Sequence, residues 1–291
     1  MIQQKIRVLI EALPYIKKFN GKTFVIKFGG SIMKNEEAKK AFIQDIVLMK
    51  LIGINLVIVH GGGPNISESL KALRKESRFI NGLRVTDKET MNIVEMVLAG
   101  QVNKEIAFEI NNQGVKAIGI SGKDGRLIRA KKKYIYEGDK KIDIGFVGNV
   151  EEINVDFLYD LIEKEYIPVI APTGFDDRGD SYNINADYVA SAISLAIKAE
   201  KMILLTDIEG LYKDINDKST FISQLSISEA KELVSQRIID GGMLPKLECC
   251  ISAIENGIKA IHMIDGRKKH SLLLEIFTDK GIGTMIRGGE Q

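Results

Sequence analysis

Six short apolar runs limit what this chain can fold into: Thr23–Lys27, Asn55–His60, Ala117–Ile120, Ile167–Ala171, Lys201–Thr206 and Ala260–Ile264. Most are continuous rather than alternating. A continuous run suits a strand covered on both faces, as in a parallel sheet. Helical patterns lie between them, at about 36–52, 64–77, 87–112, 154–164, 185–199, 226–236 and 243–256. The alternation predicts an α/β fold, a three-layer αβα sandwich around a mostly parallel open sheet.

Two stretches depart from the pattern. Leu127–Lys132 and Lys141–Val147 flank the turn-rich Glu137-Gly138-Asp139, which predicts an antiparallel hairpin at the sheet edge or over the site. At the start, Ile2, Ile6, Leu9, Ile10 and Leu13 share one helical face, and Pro14 is expected to kink or end that helix. The helix either packs on the chain's own core or is offered to a second subunit.

A length of 291 residues allows one large α/β domain or two coupled lobes. A net charge of +2 gives no case for a nucleic acid or membrane partner. The first residues have no continuous apolar stretch or small-residue cleavage site, so no signal peptide is expected. No segment reaches the roughly 20 apolar residues of a membrane span. Cys249 and Cys250 are the two cysteines. As neighbours they are poorly placed to bond, which fits reduced thiols and a cytoplasmic setting.

The chemistry-bearing residues cluster at strand ends. Lys27-Phe28-Gly29-Gly30-Ser31 closes the first run, and His60-Gly61-Gly62-Gly63-Pro64 closes the second just before a helix. Glycine there lets backbone N–H groups approach a ligand, and the helix start adds unpaired donors suited to phosphate oxygens. Neither loop is a dinucleotide fingerprint. Gly122-Lys123 is followed by Asp124 and is not a P-loop. Asn185, in Asn183-Ile184-Asn185-Ala186-Asp187, is placed to cap a helix. Asp240-Gly241-Gly242-Met243-Leu244-Pro245-Lys246 puts a lysine on a first helical turn, where the helix dipole disfavours it and a nearby anion is expected. Arg84, in Asn81-Gly82-Leu83-Arg84-Val85-Thr86, has the fork geometry to hold a carboxylate. The three histidines have no zinc-ligand spacing, and no metal-binding residues are assigned. His60 and His262 lie in apolar runs and read as core residues. An ionised carboxylate needs no general base, so phosphoryl transfer to one would need only positioning and charge neutralisation.

With the motifs Val25–Ser31, Val57–Pro64, Asn81–Thr86, Gly119–Gly125, Asn183–Asp187, Leu204–Leu211 and Gly241–Lys246 in this order, the chain resembles the amino acid kinase family. The match runs over essentially its whole length, in the branch whose acceptor is N-acetyl-L-glutamate. The resemblance implies an enzyme that uses ATP with Mg²⁺. Lys27 and Lys246 would stabilise the transferring phosphoryl group and Asp187 would orient both. Gly62 and Gly63 would donate N–H groups, and Arg84, Asn183 and Asn185 would hold the acceptor. Gly29, Gly30, Thr206, Asp207 and Lys246 would face the nucleotide. It further implies an oligomerisation helix at 1–20, an acceptor lobe at 21–198 and a nucleotide lobe at 199–291. Arginine-inhibited members are hexamers, trimers of dimers, interlaced by such a helix. By that likeness Tyr15, Lys201, Glu275 and Gly281 are candidate contacts for inhibitory L-arginine. A family member acting on carbamate, aspartate or a nucleoside monophosphate, and a non-catalytic arginine- or acetylglutamate-binding regulator, are the alternatives.

Overall fold

The computed structural model describes residues 2–214, 216–236, 238–239, 243–279 and 281–288, with the backbone alone for 2–9 and 245. Asp240, Gly241 and Gly242 of the last glycine loop lie outside the described residues, as do the side chains of Ile2, Ile6 and Leu9.

In chain order the elements are α1 (Ile2–Phe19), β1 (Thr23–Phe28), α2 (Glu36–Leu51), β2 (Asn55–His60), α3 (Gly63–Ala72), β3 (Phe79–Ile80), β4 (Leu83–Arg84), α4 (Lys88–Glu95), α5 (Asn103–Asn112) and β5 (Ala117–Ser121). There follow β6 (Ile128–Glu137), β7 (Lys140–Ile153), α6 (Val155–Glu163), β8 (Ile167–Ala171), β9 (Thr173–Phe175), β10 (Ser181–Asn183), α7 (Ala186–Ala196) and β11 (Lys201–Thr206). The last are β12 (Leu211–Tyr212), β13 (Phe221–Ile222), β14 (Gln224–Ser226), α8 (Ile227–Ser235), α9 (Leu244–Glu255), β15 (Ala260–Asp265), α10 (Ser271–Ile276) and β16 (Thr284–Arg287).

Among the described residues, eight strands form one sheet in the order β14-β16-β15-β11-β1-β2-β8-β5. Every neighbouring pair is parallel except β15–β16. Period-two alternation sorts the side chains onto two faces. Phe24, Ile26, Phe28, Leu56 and Ile58 face a core shared with α2, α3, α4, α5 and α10. Val25, Val57, Val59, Met202 and Leu204 face a second core shared with α6, α7, α8 and α9. The expected three-layer sandwich is therefore present. The sheet runs through position 198, since β1 pairs with β11.

Local chemistry sets the ends. Asn35 caps α2 by accepting from the Ala38 N–H at 3.1 Å, Asn185 caps α7 through the Asp187 N–H at 2.8 Å, and Ser226 with Glu229 forms a capping box on α8. The expected helix at 64–77 stops at Ala72. Arg74 enters the left-handed region with φ 57°, and the Lys75 N–H returns to the Leu70 carbonyl at 2.8 Å. This is a Schellman stop made with arginine in place of the usual glycine. The expected helix at 87–112 is continuous, but Met96–Val102 is a π turn between α4 and α5. Pro14 does not end α1, which continues to Phe19. Phe19 then buries against Phe24, ring centres 5.2 Å apart.

The hairpin turns where expected, but its strands are longer, with register shifts after Arg129 and Lys132. It is not at the sheet edge. β6 and β7 close with β9 and β10 into a small separate barrel. This barrel stands over the carboxyl end of the sheet, where Gly145 bridges to Thr86.

Candidate active site

β1 and β2 are parallel neighbours with Phe28 opposite His60, so the two glycine loops leave the sheet side by side. The Gly61 N–H donates to the Phe28 carbonyl at 2.8 Å. The loops pass so closely that a Cβ on Gly30 would stand 3.0 Å from the Gly62 nitrogen, an approach that only glycine permits. α3 starts at Gly63, so the first N–H groups of that helix have no intrahelical acceptor and face the gap.

This gap belongs to a cavity of about 330 Å³ lined by Lys27, Gly30, Gly62, Gly63, Arg84, Asn183, Asn185, Asp187 and Lys246, among others. Lys27 comes from β1, Asp187 from the first turn of α7 and Lys246 from the first turn of α9. The Lys27 Nζ stands 2.9 Å from Asp187 Oδ1, and the Lys246 Nζ stands 3.3 Å from Oδ2. The anion expected near Lys246 is thus Asp187. Burial would raise the Asp187 pKa, but the two ammonium groups outweigh it and hold the carboxyl below its ordinary value. A carboxylate kept ionised fixes two cations against one small space, which suits that space to a multiply charged anion.

Across the cavity Arg84 is buried at the end of the β3–β4 hairpin. Its Nη2 donates to the Gly63 carbonyl at 3.0 Å and to Ser67 Oγ at 2.9 Å. Its Nη1 donates to Ser77, and the Phe79 ring centre lies 4.7 Å from Cζ. Three of five guanidinium donors are engaged, which leaves others for a carboxylate. Asn183 Nδ2 donates to Thr86 Oγ1 at 3.4 Å. Ser67, Ser77, Phe79, Leu98 and Val147 were not singled out from the sequence. Ser67, Ser77 and Phe79 lie within four residues of a named motif, a signal too weak to select them, and Leu98 and Val147 have no such signal.

Gly29, Thr206 and Asp207 are not part of the cavity lining and sit at the carboxyl edge of β1 and β11, where a Cβ on Gly29 would lie 3.7 Å from the Lys27 Nζ. A Cβ on Gly29 would lie 2.8 Å from the Leu205 carbonyl oxygen. Thr206 is buried, with its Oγ1 accepting from the Ile208 N–H at 3.2 Å, and Asp207 is exposed. A larger groove of about 790 Å³ lies between β13, β14 and α8.

Of the four remaining residues, Lys201, Glu275 and Gly281 meet elsewhere, with His262 between the first two, and Tyr15 bonds two positions before Gly281. Lys201 Nζ donates to His262 Nε2 at 2.7 Å, and His262 Nδ1 donates to Glu275 Oε1 at 2.6 Å. Glu275 Oε2 accepts from the Ile282 and Gly283 N–H groups at 2.7 and 3.1 Å. Gly281 has φ 58°, and a Cβ there would stand 2.7 Å from Glu275 Oε2. Tyr15 donates to Asp279. Burial lowers the Lys201 and His262 pKa values. Glu275 is pushed up by burial but pulled further down by His262 and the two N–H groups. By strand alternation Lys201 is on the opposite face of the sheet from Lys27. It is also three residues nearer the amino end than Leu204, which is opposite Lys27, about 10 Å along the strand. The two clusters are separate.

No helix among the described residues is long and apolar enough to cross a membrane. The chain is 59% identical over 282 residues to the acetylglutamate kinase of Thermoanaerobacter pseudethanolicus, covering 97% of this chain and 93% of that one. It is 54% identical to the acetylglutamate kinase of Syntrophus aciditrophicus, with 97% of each chain covered. Its fold resembles N-acetylglutamate synthase from Neisseria gonorrhoeae, solved with coenzyme A and N-acetyl-glutamate, with a TM-score of 0.86 at 24% identity, covering 98% of this chain and 64% of that one. The amino acid kinase family model matches residues 22–265. With that match and these relatives, the chain belongs to the amino acid kinase family, among its acetylglutamate kinases.

Proposed function

We propose that this chain transfers the γ-phosphoryl group of ATP to the side-chain carboxylate of N-acetyl-L-glutamate, giving N-acetyl-L-glutamyl 5-phosphate for arginine biosynthesis in the cytoplasm. The observation that carries this is the pair of ammonium groups held on Asp187 in one cavity whose lining also includes Arg84. The residues present fit a nucleotide's phosphates: unpaired N–H groups at the start of α3, two lysines, and a glycine cradle that a Cβ would fill. MgATP, when bound, supplies the group to be transferred, and its phosphates and water are the natural ligands for Mg²⁺. Lys27 and Lys246 spread the charge that develops on that group, Asp187 aims both, and Gly62 and Gly63 donate N–H groups. Arg84 takes the acceptor's α-carboxylate, with Asn183 and Asn185 beside it. Gly29, Gly30, Thr206 and Asp207 flank the nucleotide. On this assignment residues 21–198 carry the acceptor contacts, residues 199–291 supply Thr206, Asp207 and Lys246, and residues 1–20 serve assembly.

The test is ATP consumption with N-acetyl-L-glutamate, carbamate, aspartate or a nucleoside monophosphate as acceptor. Turnover with N-acetyl-L-glutamate alone is expected, and preference for another acceptor overturns the assignment. Replacing Arg84 by lysine keeps the charge but loses the fork. The KM for N-acetyl-L-glutamate should rise about 10- to 100-fold, as loss of hydrogen bonds to a charged group implies, with kcat changing far less.

We also propose that L-arginine inhibits at the cluster formed by Tyr15, Lys201, Glu275 and Gly281, and that α1 links dimers into a hexamer. The exposed Ile10 and Leu13 on α1 support an assembly role for that helix. Deleting residues 1–18 should leave catalysis and abolish both arginine inhibition and hexamers. Inhibition assays and sedimentation check this; a truncated chain that remains arginine-sensitive contradicts it.

A further inference from the structure

One buried, titratable group that the proposed chemistry leaves unused is His60. It is fully buried at the end of β2, one residue before the glycine loop. Its two ring nitrogens bond in different directions. Nδ1 is 2.7 Å from the Gly61 carbonyl oxygen, and Nε2 is 3.1 Å from Asn103 Nδ2.

The orientation of Asn103 decides where the imidazole proton sits. Asn103 Nδ2 also faces the Val169 carbonyl at 2.7 Å and the Ile120 carbonyl at 3.3 Å, both acceptors. Its Oδ1 faces the Lys104 ammonium at 3.3 Å, which can only donate. The amide nitrogen therefore points at His60; one of its two hydrogens goes to the Val169 carbonyl, the other lies between Ile120 and Nε2, and an Nε2 that faces a donor accepts. The proton is on Nδ1, which donates to the Gly61 carbonyl. Burial keeps the ring neutral, its pKa lowered to about 4.

A trans peptide is planar, so its C=O and N–H point in opposite directions. Holding the Gly61 carbonyl toward the buried ring turns the Gly62 N–H away from it, toward the cavity that Gly62 lines. The flanking groups are held, the Gly61 N–H by Phe28 and the Gly62 carbonyl by the Ile66 N–H, but without a Cβ at either residue no side chain of their own hinders rotation of the peptide between them. Asn103 itself follows directly on the π turn at Met96–Val102, whose Leu98 packs against Gly62.

We propose that His60 is a positioning residue: its Nδ1–H bond to the Gly61 carbonyl, with the tautomer set by Asn103, locks the peptide that aims the Gly62 N–H into the cavity. This rests on the assignment of Gly62 as a phosphate donor.

Three variants separate positioning from packing. In His60→Asn the side-chain amide nitrogen takes the place of Nδ1 and retains the bond to Gly61. In His60→Gln the amide reaches Asn103 and loses that bond. His60→Leu loses both. Each is assayed well below its own melting temperature. Gln and Leu should lower kcat about 10- to 100-fold, on the scale of a misaimed oxyanion donor, with the acceptor KM within a few-fold. Asn should recover at least tenfold over Leu. Equal kcat in Asn and Gln overturns the proposal. A second readout needs no turnover: ¹⁵N spectra of the imidazole should show Nδ1 protonated and Nε2 bare at neutral pH. A proton on Nε2 overturns the proposal even if the enzyme is active. If the wild type turns over no acceptor while the spectra hold, the failure is that of the Gly62 assignment and not of the His60 geometry.

Discussion

Replacing Lys27 by alanine is expected to lower turnover by about two to three orders of magnitude, the usual cost of losing one charge-stabilising donor. The ammonium projects from β1 into the cavity, held 2.9 Å from Asp187. Its counter-charge is already present in the resting protein, so it does not reorganise when charge develops on the phosphoryl group. On the proposed role its contribution is made mainly in the transition state, so the loss should fall on kcat, with the acceptor KM within a few-fold. Lys27→Met retains most of the side-chain bulk and should be as inactive as the alanine variant. If methionine restored activity, Lys27 would be filling space and not supplying charge. Steady-state kinetics on both variants decide the point.

Asp187→Asn should be nearly as damaging, and in two ways. Lys27 and Lys246 lose the carboxylate between them and repel each other, so both drift from the geometry they share. A misplacement of about an ångström is enough to cost roughly 100-fold in turnover. The folded state also loses the partner of a nearly buried lysine. Breaking a buried pair costs about 3–5 kcal/mol. Lys246 is the more exposed of the two, with 27% of its side chain accessible, which puts the expected loss at about 3 kcal/mol, the low end of that range. The pH dependence has a definite sign. Asp187 titrates in the folded protein below its ordinary value of 3.8. Its stabilisation is therefore complete above that pH and is lost as the pH falls through the lower, folded value. Asp187→Asn should unfold at lower urea at neutral pH and show a shallower loss of stability on acidification. An acid limb as steep as that of the wild type would mean that Asp187 contributes nothing to it.

The strands at Asn55–His60, Ile167–Ala171 and Lys201–Thr206 were legible to the residue because burial on both faces leaves an uninterrupted apolar run. β3, β4, β12 and β13 have two residues each, too few to show any period. The stop after Ala72 was hidden because Arg74 takes the left-handed position that glycine would have advertised. The glycine loops and the misplaced charge of Lys246 were readable from local chemistry. The Lys27–Asp187–Lys246 cluster was not, because its three members lie 59 to 219 positions apart in sequence, and only the family resemblance connected them. Lys201 and Lys198 looked alike in sequence. The fold separates them, with Lys198 exposed and Lys201 bonded to His262. His60 read as a core residue and is one, but burial alone gave no sign of its bond to Gly61.

A crystal structure of the chain with ADP, aluminium fluoride, Mg²⁺ and N-acetyl-L-glutamate tests the central claim most directly. The fluoride group should sit between the Lys27 and Lys246 ammonium groups, against the Gly62 and Gly63 N–H groups, with the acceptor's α-carboxylate on Arg84. Nucleotide phosphates lodged instead in the groove between β13 and α8, with Lys27 and Lys246 still paired only to Asp187, would contradict the account.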